Sequence, residues 1–309
     1  MSIRQDLHTK EGIATYANGM NLSVNDKAKI LEYIKPGKIL EVGCGNGTVL
    51  EMISNAFPES HLVGIDLSAQ LLGLAAERQY AGQVDLFRQD ALTMRQNQAI
   101  PQQYDTIVFC SVLHEIFSWY LLNPRKDYIF HAETDPEYAA YQSTMDFIFD
   151  IVKAHLKVGG HCVIRDGIKP VEEPVTINRF KAEGLQDKFY KFADDFSPFK
   201  INFGVSVNAQ GTTFTIPSTH LFEFLTKYFY DKNWDIEVTE QFGWATIDKL
   251  SHDFATREPS TPLSVIAAKH YTLDFLRDKW DNDLEMRNGA GDVYYPCSTM
   301  VFATARNEQ

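Results

Sequence analysis

The sequence predicts a doubly wound α/β fold: an open, mostly parallel seven-stranded sheet with helices on both faces. Three observations point there. Ile39, Leu40 and Val42 run straight into the glycine-rich turn 43–47, and a helical pattern of Val49, Leu50, Ile53 and Phe57 follows, which reads as buried strand, tight turn and helix. The same alternation recurs until five strands have been counted, and two more strands lie near the C-terminus. Acidic residues stand at the ends of the first three strands, as Glu41, Asp66 and Asp90. In such a sheet ligands bind outside the carboxyl ends of the strands.

Upstream of the first strand, Ile30, Leu31 and Ile34 share a helical face that Pro36-Gly37 interrupts. Residues 13–17, with Tyr16, carry a shorter helical pattern. Pro58 closes the first helix, and 61–67 is the second strand. Ser68 suits the N-cap of the next helix, which bears Leu71, Leu72, Leu74 and Ala75 and ends by Gly82. Residues 84–91 form the third strand. The fourth starts at Tyr104 and runs through Ile107, Val108 and Phe109 to the small-residue turn Cys110-Ser111 and a helix opening Val112-Leu113-His114-Glu115. Residues 118–135 read as an irregular, aromatic-rich insertion with Trp119 and Tyr120 at its start. A long helix over 136–156 ends before Gly159-Gly160, and 161–167, with Asp166, is the fifth strand.

Beyond Gly167, Pro170, Pro174 and the pair Glu172-Glu173 mark a break, and 179–244 is unusually aromatic. Residues 218–230 read as an amphipathic helix. No Gly/Ser linker separates this part, so it reads as a helical cap inserted after the fifth strand rather than as an independent domain. Residues 262–271 and 299–306 are the late strands, joined by a long loop. The expected division is a core over 1–167, an inserted cap or substrate region over 168–261, and C-terminal strands over 262–309.

The glycine turn indicates the chemistry. Gly43, Gly45 and Gly47 let the backbone pass close to a bulky ligand with no Cβ in the way, and the N–H groups of the following helix make the turn electropositive. A dinucleotide or S-adenosylmethionine fits such a turn. A dinucleotide loop reads G-x-G-x-x-G, but here Thr48 occupies the third glycine's place. Glu41, two residues before the first glycine, suits an ammonium group better than a pyrophosphate. Asp66 is placed to accept from both ribose hydroxyls of either cofactor. Asp90 can accept from the exocyclic amine of adenine, while the backbone of Ala91 donates to a ring nitrogen.

The E-x-G-x-G-x-G turn at 41–47, the run Gln89-Asp90-Ala91, the strand Tyr104-Asp105-Thr106-Ile107 leading to Val112-Leu113-His114-Glu115, and the helix–Gly159-Gly160–strand succession resemble the class I, Rossmann-like S-adenosylmethionine-dependent methyltransferases over about residues 38–167. The resemblance implies methyl transfer from S-adenosylmethionine to an unidentified acceptor. It assigns the glycine turn (Glu41, Gly43, Cys44, Gly45, Asn46 and Gly47) and the later strand ends (Asp66, Leu67, Asp90, Ala91, Cys110 and Ser111) to the cofactor, with Tyr16 closing over it as an N-terminal lid. His114, beside the fourth strand, is the nearest base should the acceptor carry a proton, or else a structural His bonded to backbone; Trp119 and Tyr120, in an aromatic insertion outside the shared sheet, and Asp166 are expected toward the acceptor. The fourth-strand turn lacks the [DNS]-P-P-[YFW] sequence of enzymes that methylate exocyclic base amines. It also lacks the aspartate with which catechol-type methyltransferases hold Mg²⁺.

Composition bounds the partners. The net charge is −12 and no basic run exceeds a residue or two, which disfavours nucleic acid and favours a small-molecule acceptor. Cys44, Cys110, Cys162 and Cys297 are scattered without metal-like spacing, so reduced thiols and no metal site are expected. The N-terminus has no apolar signal core and no apolar run reaches membrane-spanning length; a cytoplasmic protein without a membrane partner is expected. Two other classes stay open. An NAD(P)-dependent oxidoreductase is opposed by Thr48 and by the Gln89 and Val112 runs, and a non-catalytic S-adenosylmethionine-binding subunit is opposed by the intact turn. The aromatic segments either wall the acceptor pocket, extend the core or form a homodimer contact.

Overall fold

A computed structural model describes residues 12–14, 23–96, 100, 103–209, 211–258 and 260–308. The chain forms two compact units: Met1–Asp166 with Ile247–Lys269 and Met300–Gln309, and Gly167–Thr246 with His270–Thr299. The strands are β1 (Lys38–Val42), β2 (His61–Asp66), β3 (Gln83–Arg88), β4 (Tyr104–Cys110), β5 (Leu156–Gly167), β6 (Pro174–Phe180), β7 (Gly204–Asn208), β8 (Gly211–Pro217), β9 (Leu263–Tyr271), β10 (Leu284–Arg287) and β11 (Thr299–Arg306).

Among the described residues, the first unit is built on a seven-stranded sheet of order β3-β2-β1-β4-β5-β11-β9. β1 to β5 pair in parallel. The order reverses between β1 and β4, so their carboxyl ends open the crevice that such a switch point creates. Register puts Glu41 beside Gly64 of β2 and Val108 of β4. A Cβ on Gly64 would meet Leu50 Cδ1 at 2.6 Å and Cys44 Sγ at 2.9 Å, so this glycine lets the first helix and its turn lie close on the sheet.

Helices α1 (Thr48–Ala56), α2 (Ala69–Ala76), α3 (Leu113–Leu122), α4 (Pro136–His155) and α7 (Ile247–Thr256) belong to this unit. Each buries its apolar stripe: Val49, Leu50 and Ile53 on α1, Leu71, Leu72 and Ala75 on α2, Leu113 and Phe117 on α3. A fully buried Leu, Ile or Phe contributes roughly 1.5–3 kcal/mol, so these stripes hold the strand ends where they are. Ser68 Oγ caps α2 by accepting from Leu71 N–H at 3.2 Å, as its position predicts. Asp135 does the same for α4 through Tyr138 N–H at 2.9 Å. The insertion at 118–135 is more regular than expected. α3 continues through Trp119 and Tyr120 to Leu122, and two short helical turns, Lys126–Tyr128 and Ile129–Ala132, follow.

The second unit contains the expected helix α6 (Ser218–Lys227), together with a further helix, α5 (Leu185–Asp195), and a four-stranded antiparallel sheet of order β10-β6-β8-β7, neither of which the sequence reading anticipated. The supposed loop between the late strands holds α8 (Asp274–Asp283) and β10, with Trp280, Leu284 and Met286 buried in this unit's core. Residues 247–261 go the other way: Phe254 of α7 packs on Phe149 and Phe302 of the first unit, at 5.1 and 5.0 Å between ring centroids. The two units divide the chain at other places than 168–261 and 262–309, because β10 completes a sheet with β6, about a hundred residues earlier. Much of the aromatic richness is core: Phe189 meets Phe214 and Phe224 edge-on at 5.7 and 5.1 Å, the geometry ring quadrupoles favour. No helix among the described residues is long and apolar enough to cross a membrane.

Candidate functional site

After β1 the chain turns through Gly43, Gly45 and Gly47 with φ of 73°, 52° and 76°. Gly43 and Cys44 donate their N–H groups to the Ile65 carbonyl of β2 at 2.9 and 3.0 Å. A Cβ on Gly43 would stand 2.6 Å from Val112 Cγ2, so the turns after β1 and β4 lie in direct contact. Arg78 ties the turn down. It donates to the Asn46 carbonyl at 2.5 Å and to Thr48 Oγ1 at 2.7 Å, and pairs with Glu51. The Thr48 hydroxyl in turn donates to Asn46 Oδ1 at 2.7 Å.

Two carboxylates face this turn with different surroundings. Glu41 is only 2% exposed, and its Oε2 has no hydrogen-bond partner among the described residues. Burial pushes its carboxyl well above the usual range; the nearby Lys27 opposes that shift and Asp66 adds to it. A buried anion with an unsatisfied oxygen is costly unless a cation reaches it. Asp66 is half-buried and anchored: Oδ2 accepts from Gly45 N–H and Oδ1 from Ser68 N–H, both at 2.8 Å. Burial nevertheless pushes its carboxyl up to about 6. Each oxygen retains further acceptor capacity. Next to it, Gln89 N–H donates to the Asp66 carbonyl at 2.9 Å and Asp90 Oδ1 accepts from Leu92 N–H at 3.0 Å. Burial raises the thiols of Cys44 and Cys110, which keeps them neutral and unreactive.

At the end of β4, Ser111 has φ 58°, the sole positive value outside glycine among the described residues. Such a backbone persists only where its surroundings hold it. Here Ser111 N–H donates to the Arg165 carbonyl at 2.7 Å, and Arg165 Nη1 donates to Ser111 Oγ at 2.7 Å. Arg165 is 3% exposed and also grips Asp26, with Nε 3.1 Å from Oδ2. The strain turns the chain into α3, where Asp166 takes over. Its side chain is fully buried. Oδ2 accepts from Val112 and Leu113 N–H at 3.1 and 2.7 Å, and Oδ1 lies 2.6 Å from His114 Nδ1. A carboxylate only accepts, so Nδ1 carries the proton and Nε2 is the basic nitrogen of the ring.

Residues 40–129 match the family model described as a methyltransferase domain. Over those residues the chain is similar to methyltransferase domains. It is 34% identical over 71 residues to malonyl-[acyl-carrier protein] O-methyltransferase of Bacillus cereus, covering 23% of this chain and 25% of that protein. The chain thus spans about a quarter of the length of that curated relative. Among solved structures, the plantazolicin methyltransferase BamL, in complex with a triazolic desmethylPZN analog and SAH, is similar at TM-score 0.53 and 11% identity, over 99% of this chain and 94% of that one. The mitomycin 7-O-methyltransferase MmcR reaches TM-score 0.50 at 12% identity, over 99% and 61%. These likenesses show the fold.

Within the first unit, contacts link most of the sequence-predicted residues. The glycine turn bonds to Asp66 and touches Val112, and Val112 bonds to Asp166, which holds His114. Leu67, Asp90 and Ala91 are half-buried beyond the ends of β2 and β3. Trp119 and Tyr120 are half-buried further along α3, more than a turn beyond His114. Tyr16 lies outside the described residues. Asp166, expected to face the acceptor, has no exposed surface, and its oxygens are engaged by His114 and the start of α3. Sequence reasoning missed Arg165, Asp26 and Lys27. Arg165 offered a signal, as a charge next to the apolar Val163 and Ile164, whereas Asp26 and Lys27 look like any solvated helix residues.

Proposed function

We propose that this chain transfers a methyl group from S-adenosylmethionine to a small acceptor through an atom that bears a proton. The observation that carries the reading is Glu41, a buried carboxylate with an unpartnered oxygen beside the glycine turn. A dinucleotide brings only phosphate anions to that place, while the amino-acid end of S-adenosylmethionine brings an ammonium.

In this reading Glu41 holds the ammonium, Asp66 accepts from the ribose hydroxyls, and Asp90 with the backbone of Ala91 reads the adenine. Cys44, Asn46, Leu67, Cys110 and Ser111 shape the walls. When bound, S-adenosylmethionine supplies an activated methyl on a sulfonium, so alignment provides much of the rate. His114 Nε2 would take the proton from the acceptor atom that receives the methyl, and Asp166 would stabilise the imidazolium. Asp166 thus acts through His114 and is a positioning residue. Two of the relatives are O-methyltransferases by name, which favours an acceptor oxygen. The test is calorimetry with S-adenosylhomocysteine and with NAD. Micromolar binding of the first supports the reading; a shift with NAD alone overturns it.

A further inference from the structure

Ser111 is a serine where the backbone asks for glycine. Its φ of 58° lies in the left-handed region, where a Cβ crowds the following carbonyl oxygen. The constraint that holds it there comes from β5. Pairing of β4 with β5 ends at Cys110 and Arg165. Beyond that pair, Ser111 N–H donates to the Arg165 carbonyl and Arg165 Nη1 donates to Ser111 Oγ, both at 2.7 Å. Arg165 thus holds both the backbone and the hydroxyl of the strained residue. The guanidinium is itself fixed: Nε donates to Asp26 Oδ2 at 3.1 Å, Nη2 bonds the same oxygen, and the side chain is buried. Asp26 lies in the short helix Val24–Lys27, which runs on as the 3₁₀ segment Ala28–Tyr33 with Ile30 and Tyr33 buried. Neighbouring side chains on a strand point to opposite faces, so Arg165 and Asp166 reach the turn after β4 from different sides. Arg165 takes Ser111, while Asp166 takes Val112 N–H, Leu113 N–H and His114 Nδ1.

We infer that Arg165 is a positioning residue for the His114 base: by holding Ser111 left-handed it fixes the start of α3, and with it the contact that keeps the ring proton on Nδ1. This rests on the methyltransferase reading, from which His114 takes its role as base. If Ser111 relaxes to an ordinary backbone, Val112 and Leu113 N–H turn away from Asp166 and the ring loses the partner that sets its tautomer. An Arg165 that only tied the N-terminal helix to β5 would leave the tautomer alone. Glycine separates the two roles, because it enters the left-handed region with no Cβ to crowd the backbone and needs no clamp.

Nitrogen-15 spectra of histidine-labelled, ligand-free protein read the His114 tautomer in wild type, Ser111→Ala, Ser111→Gly, Arg165→Met and the double variant Arg165→Met/Ser111→Gly. Wild type should favour the Nδ1–H form by about ten-fold or more, the effect of a bond to a charged group. Ser111→Ala cuts the link to Arg165 but keeps the Cβ, and should lower that preference by about five-fold or more, the weight of a left-handed Cβ. Ser111→Gly cuts the same link without the strain and should keep the preference. Arg165→Met should behave like Ser111→Ala, and adding Ser111→Gly to it should restore the tautomer. The two Ser111 variants carry the test alone if Arg165→Met does not fold. A Ser111→Ala protein with the wild-type tautomer overturns the inference. So does an Arg165→Met protein whose loss Ser111→Gly fails to restore, or a wild type with no preference for Nδ1–H. Calorimetry of wild type with S-adenosylhomocysteine tells the two failures apart: binding with unmoved tautomers sinks the role of Arg165 alone, and no binding sinks the methyltransferase reading and the base with it.

Discussion

Replacing Asp166 with Asn tests the link between the β5 end and the proposed base. The substitution keeps the shape but leaves one acceptor oxygen. Two backbone donors, Val112 and Leu113 N–H, converge on Oδ2, so the amide oxygen should turn to them and the amide nitrogen should face His114. That nitrogen donates, which forces His114 Nδ1 to accept and moves the ring proton to Nε2. The base is then blocked without being removed. Bonds to a charged acceptor contribute about 1.5–3 kcal/mol and neutral ones about 0.5–1.5, and a negative charge at a helix N-terminus adds about 0.3–1. Relief of the carboxylate's desolvation offsets part of this loss. The net expectation is a fall of about 1–3 kcal/mol in unfolding free energy, measured with urea. S-adenosylhomocysteine affinity should be unchanged, and methyl transfer should slow by about 10²–10⁴, the range for general-base catalysis. Nitrogen-15 histidine spectra read the tautomer directly and need no acceptor. If His114 keeps its Nδ1 proton in Asp166→Asn and turnover matches wild type, the positioning argument is wrong.

Four further outcomes are expected. Asp66→Ala should weaken S-adenosylhomocysteine binding by about 1.5–3 kcal/mol and, because Gly45 and Ser68 N–H lose their acceptor, should also lower stability by about 1 kcal/mol; unaltered binding would remove the ribose assignment. Because burial raises the Asp66 carboxyl to about 6, its contribution to the stability of the ligand-free protein is present below the unfolded value near 4 and is lost as pH rises through 6. Binding should run oppositely, with cofactor affinity falling as pH drops through 6, and Asp66→Asn should flatten both profiles. Gly43→Ala forces a side chain into φ 73° and against Val112. It should cost about 1–2 kcal/mol for the backbone plus the clash, of which Val112→Ala recovers only the second part in urea titrations. Trp119→Ala and Tyr120→Ala should change acceptor KM or turnover while calorimetric cofactor affinity holds; the reverse pattern would place these residues on the cofactor side.

Order along the chain was legible where the cause is local. Ile39, Leu40 and Val42 followed by alternate glycines can hardly be anything but a buried strand and a tight turn. Ser68 caps the helix that starts beside it, and the late strands near 262–271 and 299–306 fall where their apolar runs lie. The glycine turn, Asp66 and His114 were readable for the same reason: each is set by its own strand end. Only the tertiary structure decided the rest, because the partners are far apart in sequence. β6 becomes a strand through pairing with β8 and β10, and its short run of alternating Val175 and Ile177 carries little signal alone. Asp166 belongs to His114 across 52 positions, and Arg165 to Asp26 across 139. A charged side chain reads as solvated until folding takes its water away, and burial is what gives Asp166, Glu41 and Arg165 their chemistry.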